Sequence, residues 1–163
     1  MCIRDSGDID NDGDQDISTV MGGAYSGDNY WNVLFLNPGN GNHWITLRLE
    51  GIESNRSAVG ARIRIRLQVP GGERDVYATV GTGGSFGGSS LQQEIGLGEA
   101  TSVDLIEIRW PSGKTQLFKD IAMDQILKIR EGDRAPVPVK LRRVDLEAAR
   151  KQAHTHDHQS PEP

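Results

Sequence analysis

A short run near the amino terminus carries closely spaced carboxylates. They fall at the first, third, fifth and ninth positions of one segment, at Asp8, Asp10, Asp12 and Asp16. Hard cations such as Ca²⁺ bind about six to eight oxygens, and a short acidic loop can supply them. Gly13 stands where such a loop turns sharply, and Asp14 at the seventh position would contribute its backbone carbonyl. The run therefore predicts a Ca²⁺ site.

Two other interpretations of this run are weaker. An EF-hand loop needs a bidentate Glu at its twelfth position and flanking helices, but Thr19 stands there and a strand-like run, Ile17 to Met21, follows. A solvated acidic loop would use Asp, Asn and Gly only for turns. It leaves the mutual repulsion of five neighbouring aspartates unbalanced, so we favour the cation.

Composition and charge limit the remaining functions. The chain has 163 residues, 36% hydrophobic residues and a net charge of −5, and the acidity is concentrated in residues 1–42, which hold one Arg and seven Asp. No basic stripe remains for nucleic acid. We find no apolar run as long as a membrane span and no signal-peptide pattern, and the single cysteine, Cys2, excludes an intrachain disulfide.

Beyond residue 42 the hydrophobic residues alternate with polar ones, which is typical of strands. The clearest runs are centred on Leu47, Ile65 and Ile108. Shorter strands are predicted at residues 76–80, 91–97, 115–118 and 126–129, with turns at 70–72 and 111–113. This pattern predicts an all-β fold, with a small antiparallel β-sandwich or barrel over residues 43–131.

Residues 7–42 contain only two predicted strands, Ile17 to Met21 and Asn32 to Leu36. Two strands cannot bury a core. The segment is therefore either the last unit of a repeating array or a piece that packs on the following domain, and we favour the array because repeats need neighbours.

Several other features have an ordinary explanation beside a functional one. Arginines at 62, 64 and 66 could bind an anion, but are more often the solvated side of a strand. The Gly-rich stretch 81–90 lacks a phosphate-loop ending and is interpreted as a surface loop, whose glycines would also let backbone amides approach a ligand. His43 is interpreted as a hydrogen-bonding residue at the start of a strand.

The carboxyl-terminal segment, residues 132–163, is predicted to be a tail. It has a possible short helix at 141–153 followed by disorder, and the histidines at 154, 156 and 158 are more consistent with a polar tail than with a metal site.

The order of motifs resembles two known families. Gly7 to Ile17 is similar to the calcium loop of FG-GAP/VCBS repeats, the blades of integrin-α-like propellers. Four later segments resemble the ASPIC/UnbV domain that occurs with such repeats in proteins like cartilage acidic protein: residues 42–45, 54–62, 96–100 and 108–113. Residues 1–6 resemble a hexapeptide that recurs at the ends of translated metagenomic assemblies, and we exclude them from the fold prediction.

This resemblance implies a partial β-propeller blade at 7–42, with further blades of the same protein upstream, and an ASPIC/UnbV-like β domain at 43–131. It also implies Ca²⁺ held by Asp8, Asp10, Asp12, the carbonyl of Asp14, and Asp16, in an extracellular or cell-surface protein. It carries no catalytic residues. We therefore expect a non-enzymatic, calcium-stabilised binding or adhesion module whose partner is an extracellular protein or glycan.

A different function class remains open. The chain could be the accessory, glycan-binding end of a secreted polysaccharide-active enzyme, because Tyr30 and Trp31 could present a face for sugar stacking.

Overall fold

The computed structural model describes residues 3–22, 26–27, 30–83 and 90–146. Eleven strands lie in these residues, and they confirm the all-β prediction: β1 Ile3–Gly7, β2 Asp16–Val20, β3 Val33–Phe35, β4 His43–Glu50, β5 Arg62–Val69, β6 Gly72–Thr79, β7 Gln93–Gly98, β8 Ser102–Arg109, β9 Thr115–Ile121, β10 Gln125–Arg130 and β11 Val137–Val139. No helix in this part of the chain has the length and apolar character needed to cross a membrane.

The chain divides into two compact units. Unit 1 comprises Met1–Pro38 with Leu141–Pro163, and unit 2 is Gly39–Lys140. Unit 2 begins at Gly39 and ends at Lys140, whereas the predicted β domain covers residues 43–131. It therefore includes β11, and residues 141–146 group with the amino-terminal segment.

Unit 1 contains a three-stranded antiparallel sheet in the order β1-β2-β3. Strands β2 and β3 lie where the sequence predicts them. Strand β1 lies almost entirely in residues 1–6, which the fold prediction excludes, and its last residue, Gly7, pairs with Asp16 at the start of β2. Among residues 6–22, 26–27, 30–38 and 141–146 of unit 1, whose side chains the structure describes, Asp16 alone is buried, and no apolar residue is.

Unit 2 contains two four-stranded sheets, ordered β11-β10-β4-β7 and β6-β5-β8-β9. Alternate residues of each sheet face one shared core, in which Leu47, Ile65, Ile106 and Ile129 are completely buried. The arrangement is a sandwich, and the described strands form no closed barrel. One pairing departs from the antiparallel prediction: β10 runs parallel to β4, with Gln125 opposite Ile45.

A buried carboxylate holds the loops at one end of unit 2. Oε2 of Glu131 accepts hydrogen bonds from the backbone amides of Ile52, Glu53 and Ser54 at 2.8–2.9 Å. Oε1 accepts from the hydroxyls of Ser54 and Ser112. Burial alone would raise the pKa of Glu131, but these hydrogen bonds outweigh it and lower the pKa to about 2. The ionised carboxylate thus ties the loop after β4 and the turn after β8 to the end of β10.

Other predictions fall partly outside the described residues. In the predicted helix at 141–153, residues 141–145 are not helical, and residues 147–153 lie outside the described part. The histidines of the tail and residues 84–89 of the Gly-rich stretch also lie outside it.

Candidate metal centre

The acidic loop joins β1 to β2 in unit 1. Gly13 has a φ of 99°, as the predicted sharp turn requires, and Asn11 has a φ of 61°. The side chain of Asp8 accepts hydrogen bonds from the amides of Asp12 at 2.9 Å and Gly13 at 3.1 Å. The loop therefore folds around its own first carboxylate.

Asp16, at the end of the loop, is hydrogen-bonded to the start of the loop and to the segment after β3. Its side chain, 1% exposed, accepts from the amide of Ile9 at 3.0 Å and from the amide of Asn37, after β3, also at 3.0 Å. The loop and the segment that follows the sheet are thus attached to one buried carboxylate.

The loop brings three carboxylates together. Asp8, Asp10 and Asp16 each offer an oxygen, and these atoms lie within 4.8 Å of one another. Oxygens on opposite sides of a Ca²⁺ ion are separated by about 5 Å, twice the Ca–O distance. The three oxygens are therefore close enough together to ligate one metal cation, and their spacing does not select Ca²⁺ over other cations.

One oxygen of Asp10 is a second, independent indication of a cation at this position. Its Oδ1 is buried and has no hydrogen-bond partner among the described residues. A buried carboxylate oxygen without a partner is costly, and a cation would satisfy it.

The electrostatics agree with this geometry. The pKa of Asp10 is raised, first by burial and then by the charges of Asp12 and Asp16. Burial also raises the pKa of Asp8, against the hydrogen bonds from Asp12 and Gly13. Both shifts disfavour the ionised carboxylates, chiefly because they are partly removed from water, and a bound cation would oppose them.

Of the four residues predicted to ligate through their carboxylates, Asp12 alone lies outside this cluster. Oδ1 of Asp12 accepts from the amide of Asp14 at 3.0 Å, and Oδ2 of Asp12 accepts from Nη2 of Arg143, also at 3.0 Å. The carboxylates of Asp12 and Asp14 thus do not join those of Asp8, Asp10 and Asp16. The role predicted for Asp14 concerns its backbone carbonyl, which the cluster of side-chain oxygens does not address.

Sequence reasoning missed the segment that lies across the loop. Arg143 reaches Asp12, the amide of Val144 donates to the carbonyl of Asp10 at 2.8 Å, and the side chain of Asn11 donates to the carbonyl of Arg142 at 3.0 Å. These residues follow the loop by about 130 positions, and no local pattern marks them. Only the excess of negative charge in the loop indicates that a distant cation could pair there.

The other candidates from the sequence have structural partners. Arg64 and Arg66 pair with Asp75, as the solvated-strand interpretation predicts. Nδ1 of His43 lies 2.7 Å from Oδ2 of Asp124, whose other oxygen accepts from the amide of Trp44. His43 therefore helps to hold the start of β4, in keeping with its predicted role.

A comparison with protein families now identifies unit 2. The family model described as ASPIC and UnbV matches residues 51–136, more than half of the chain. The chain belongs to this family. The ASPIC/UnbV match begins at the loop held by Glu131 and continues through β10, so it covers most of the sandwich. A comparison with curated proteins found no match.

Proposed function

We propose that this ASPIC/UnbV chain is a non-enzymatic, calcium-stabilised binding or adhesion module at the carboxyl-terminal end of an extracellular, integrin-α-like propeller protein. The observation that carries the proposal is the meeting of Asp8, Asp10 and Asp16 around a buried oxygen without a partner. The match of unit 2 to the ASPIC/UnbV family supports the proposal, because ASPIC/UnbV domains are found at the carboxyl-terminal end of FG-GAP proteins.

In this proposal Ca²⁺ is structural. Asp8, Asp10 and Asp16 would hold it, and it would offset their charge and stiffen the β1–β2 loop. Extracellular sites with a Kd on the order of 10⁻⁴ to 10⁻³ M are largely filled at millimolar calcium, so no switching is needed. Mutual repulsion among the carboxylates would otherwise favour opening of the loop.

The exposed apolar surface of unit 1 supports a place in a repeating array. Ile17, Leu34 and Phe35 of its sheet are 42–56% exposed, and no apolar side chain of unit 1 is buried where the structure describes side chains, from Ser6 onward. A three-stranded sheet of this kind needs further elements to cover it. We propose that other blades of the same protein do so.

Calorimetric titration with CaCl₂ tests the cation site directly. The chain should bind about one Ca²⁺, and thermal unfolding should shift upward with Ca²⁺ and back with EGTA. Asp10→Asn should weaken binding at least tenfold, whereas the matched change Asp133→Asn, at an exposed position in unit 2, should not. The absence of binding heat, or equal losses in both variants, would reject the calcium site.

A second candidate function rests on the exposure of two aromatic side chains. Trp31 is 91% exposed and Tyr30 is 70% exposed, as a sugar-stacking surface requires. This observation favours a glycan-binding accessory end of a secreted polysaccharide-active enzyme. A glycan array probed with the chain and its Trp31→Ala variant discriminates between the two proposed functions. Glycan binding that is lost in the variant, with thermal unfolding unchanged, would favour the accessory role. A blank array would count against it.

A further inference from the structure

A groove lies on the outer face of the β6-β5-β8-β9 sheet of unit 2. Its volume is about 280 Å³, and its lining residues come from β5, β6 and β8: Arg62, Ile63, Arg64, Tyr77, Glu107 and Arg109. This volume is near the lower end of small-ligand sites, roughly 300 Å³, which suits a single sugar-sized group better than a large cofactor.

One arginine of the groove is already satisfied. Nη2 of Arg64 lies 2.6 Å from Asp75, and its Nη1 lies 3.6 Å from Glu107. Asp75 also pairs with Arg66 at 3.3 Å, so it offers little to the remaining cations. Arg64 therefore forms part of the wall rather than a free binding group.

Of the other two arginines, Arg62 has no ion-pair partner among the described residues, and Arg109 is paired with Glu107 through Nε alone. Arg62 is exposed, and its side chain has no hydrogen-bond or ion-pair partner among the described residues; it lies directly opposite Arg109 in the β5–β8 register. Arg109 donates through Nε to Glu107 at 2.5 Å, and its two terminal nitrogens have no acceptor in the described part of the chain. Like charges facing each other across an antiparallel pair are destabilising. An anion between them would reverse that effect.

Tyr77 indicates what the anion is attached to. Its ring is 70% exposed at the side of the groove, opposite Arg64 in the β5–β6 register. An exposed tyrosine offers an apolar face with a polar end, which suits the face of a sugar ring. Guanidinium groups in turn match the planar fork of a carboxylate better than a point charge does.

We propose that this groove binds a carboxylate-bearing sugar residue, a uronate, with its carboxylate at Arg62 and Arg109 and its ring against Tyr77. The inference rests on unit 2 alone and is independent of the cation loop, so either proposal can fail without the other.

Chemical-shift titration of the ¹⁵N-labelled chain tests it, with sodium glucuronate as the probe and glucose and sodium acetate as comparisons at matched ionic strength. Glucuronate should shift amides of β5, β6 and β8 with a saturating, millimolar response. Glucose should give little response, and acetate should bind at least fivefold more weakly than glucuronate. Equal responses to acetate and glucuronate would overturn the sugar part, and no saturable response to glucuronate would overturn the proposal entirely.

Variants separate the groove from general charge attraction. Arg62→Gln, Arg109→Gln and Tyr77→Ala should each weaken glucuronate binding at least fivefold, and Arg62→Lys should recover only part of the loss. Lys119→Gln removes a positive charge from an exposed position of β9 in the same sheet and should leave binding unchanged. Equal weakening by Lys119→Gln, or saturable binding of a penta-glutamate peptide in place of glucuronate, would overturn the assignment. Unchanged amide spectra outside the groove show that each variant is folded.

Discussion

The carboxylate of Glu131 lies 2.8 Å from the backbone amide of Ser54, although 77 positions separate the two residues in the chain. The amides of Ile52 and Glu53 point at the same oxygen. Three successive backbone donors on one carboxylate make a strong, charge-assisted anchor. Glu131 is 5% exposed, so the anchor is shielded from water.

Replacement of Glu131 by Gln should destabilise unit 2 strongly. The side chain of Gln can accept hydrogen bonds through its amide oxygen but not through its NH₂ group, so some of the buried backbone amides and hydroxyls lose their acceptor. We expect the free energy of unfolding to fall by roughly 3 kcal/mol in urea titrations. Glu99→Gln, a matched change at an exposed position, should alter it by less than about 0.5 kcal/mol. Similar losses in the two variants would show that the anchor contributes little.

The lowered pKa of Glu131 predicts a stability loss in acid. The pKa is about 2 in the folded chain against 4.5 for the unconstrained side chain, so the folded state favours the ionised form. Its contribution is complete above pH 4.5 and is lost as the pH falls through about 2. In urea titrations between pH 2 and 7, the stability difference between the native chain and Glu131→Gln should be constant above pH 5 and shrink below pH 4.5. A difference that stays constant down to pH 2 would contradict this assignment.

Gly51 precedes the amides that Glu131 holds, and it has no room for a side chain. A Cβ at this position would lie 2.2 Å from the carbonyl oxygen of Asn55, a backbone atom that cannot rotate away. Gly51→Ala should therefore displace the loop and lower the free energy of unfolding by about 2 kcal/mol or more. Gly71→Ala is the control, because a Cβ there meets nothing within 4 Å. Thermal unfolding of both variants measures the difference, and an equal effect on the two would refute the steric explanation.

The sequence was informative wherever one residue type determines a local property. Alternating apolar residues located β4, β5 and β8, because each strand has one face in the core. The Asp and Gly spacing located the acidic loop in the same way. Contacts between distant segments left no such pattern in the sequence. The parallel pairing of β10 with β4, the hydrogen bonds of Glu131 and the ion pair of Arg143 with Asp12 each join residues that are far apart in the chain, so they depend on the tertiary fold.

The positive charge of Arg143 should weaken the binding of Ca²⁺ to the acidic loop. Its guanidinium group lies 3.0 Å from Oδ2 of Asp12 and brings a positive charge close to the candidate ligands. Removal of that charge in Arg143→Gln should strengthen Ca²⁺ binding by roughly two- to fivefold, which corresponds to the ~0.5–1 kcal/mol of an exposed ion pair. Calorimetric titration measures the change, with Arg134→Gln, an exposed position in unit 2, as the control. Weaker binding in Arg143→Gln would mean that Arg143 supports the loop rather than competing with the cation.

The parallel pairing of β10 with β4 has a consequence for synthesis of the chain. Strand β4 is the first strand of unit 2 to be synthesised, yet one of its two neighbours, β10, is the tenth of the eleven strands in chain order. Until β10 emerges, one edge of β4 keeps its backbone groups free, and such edges recruit other chains. Nascent chains halted before β10 should therefore be targets for chaperones and proteases, and the sandwich closes only when nearly all of unit 2 has been made.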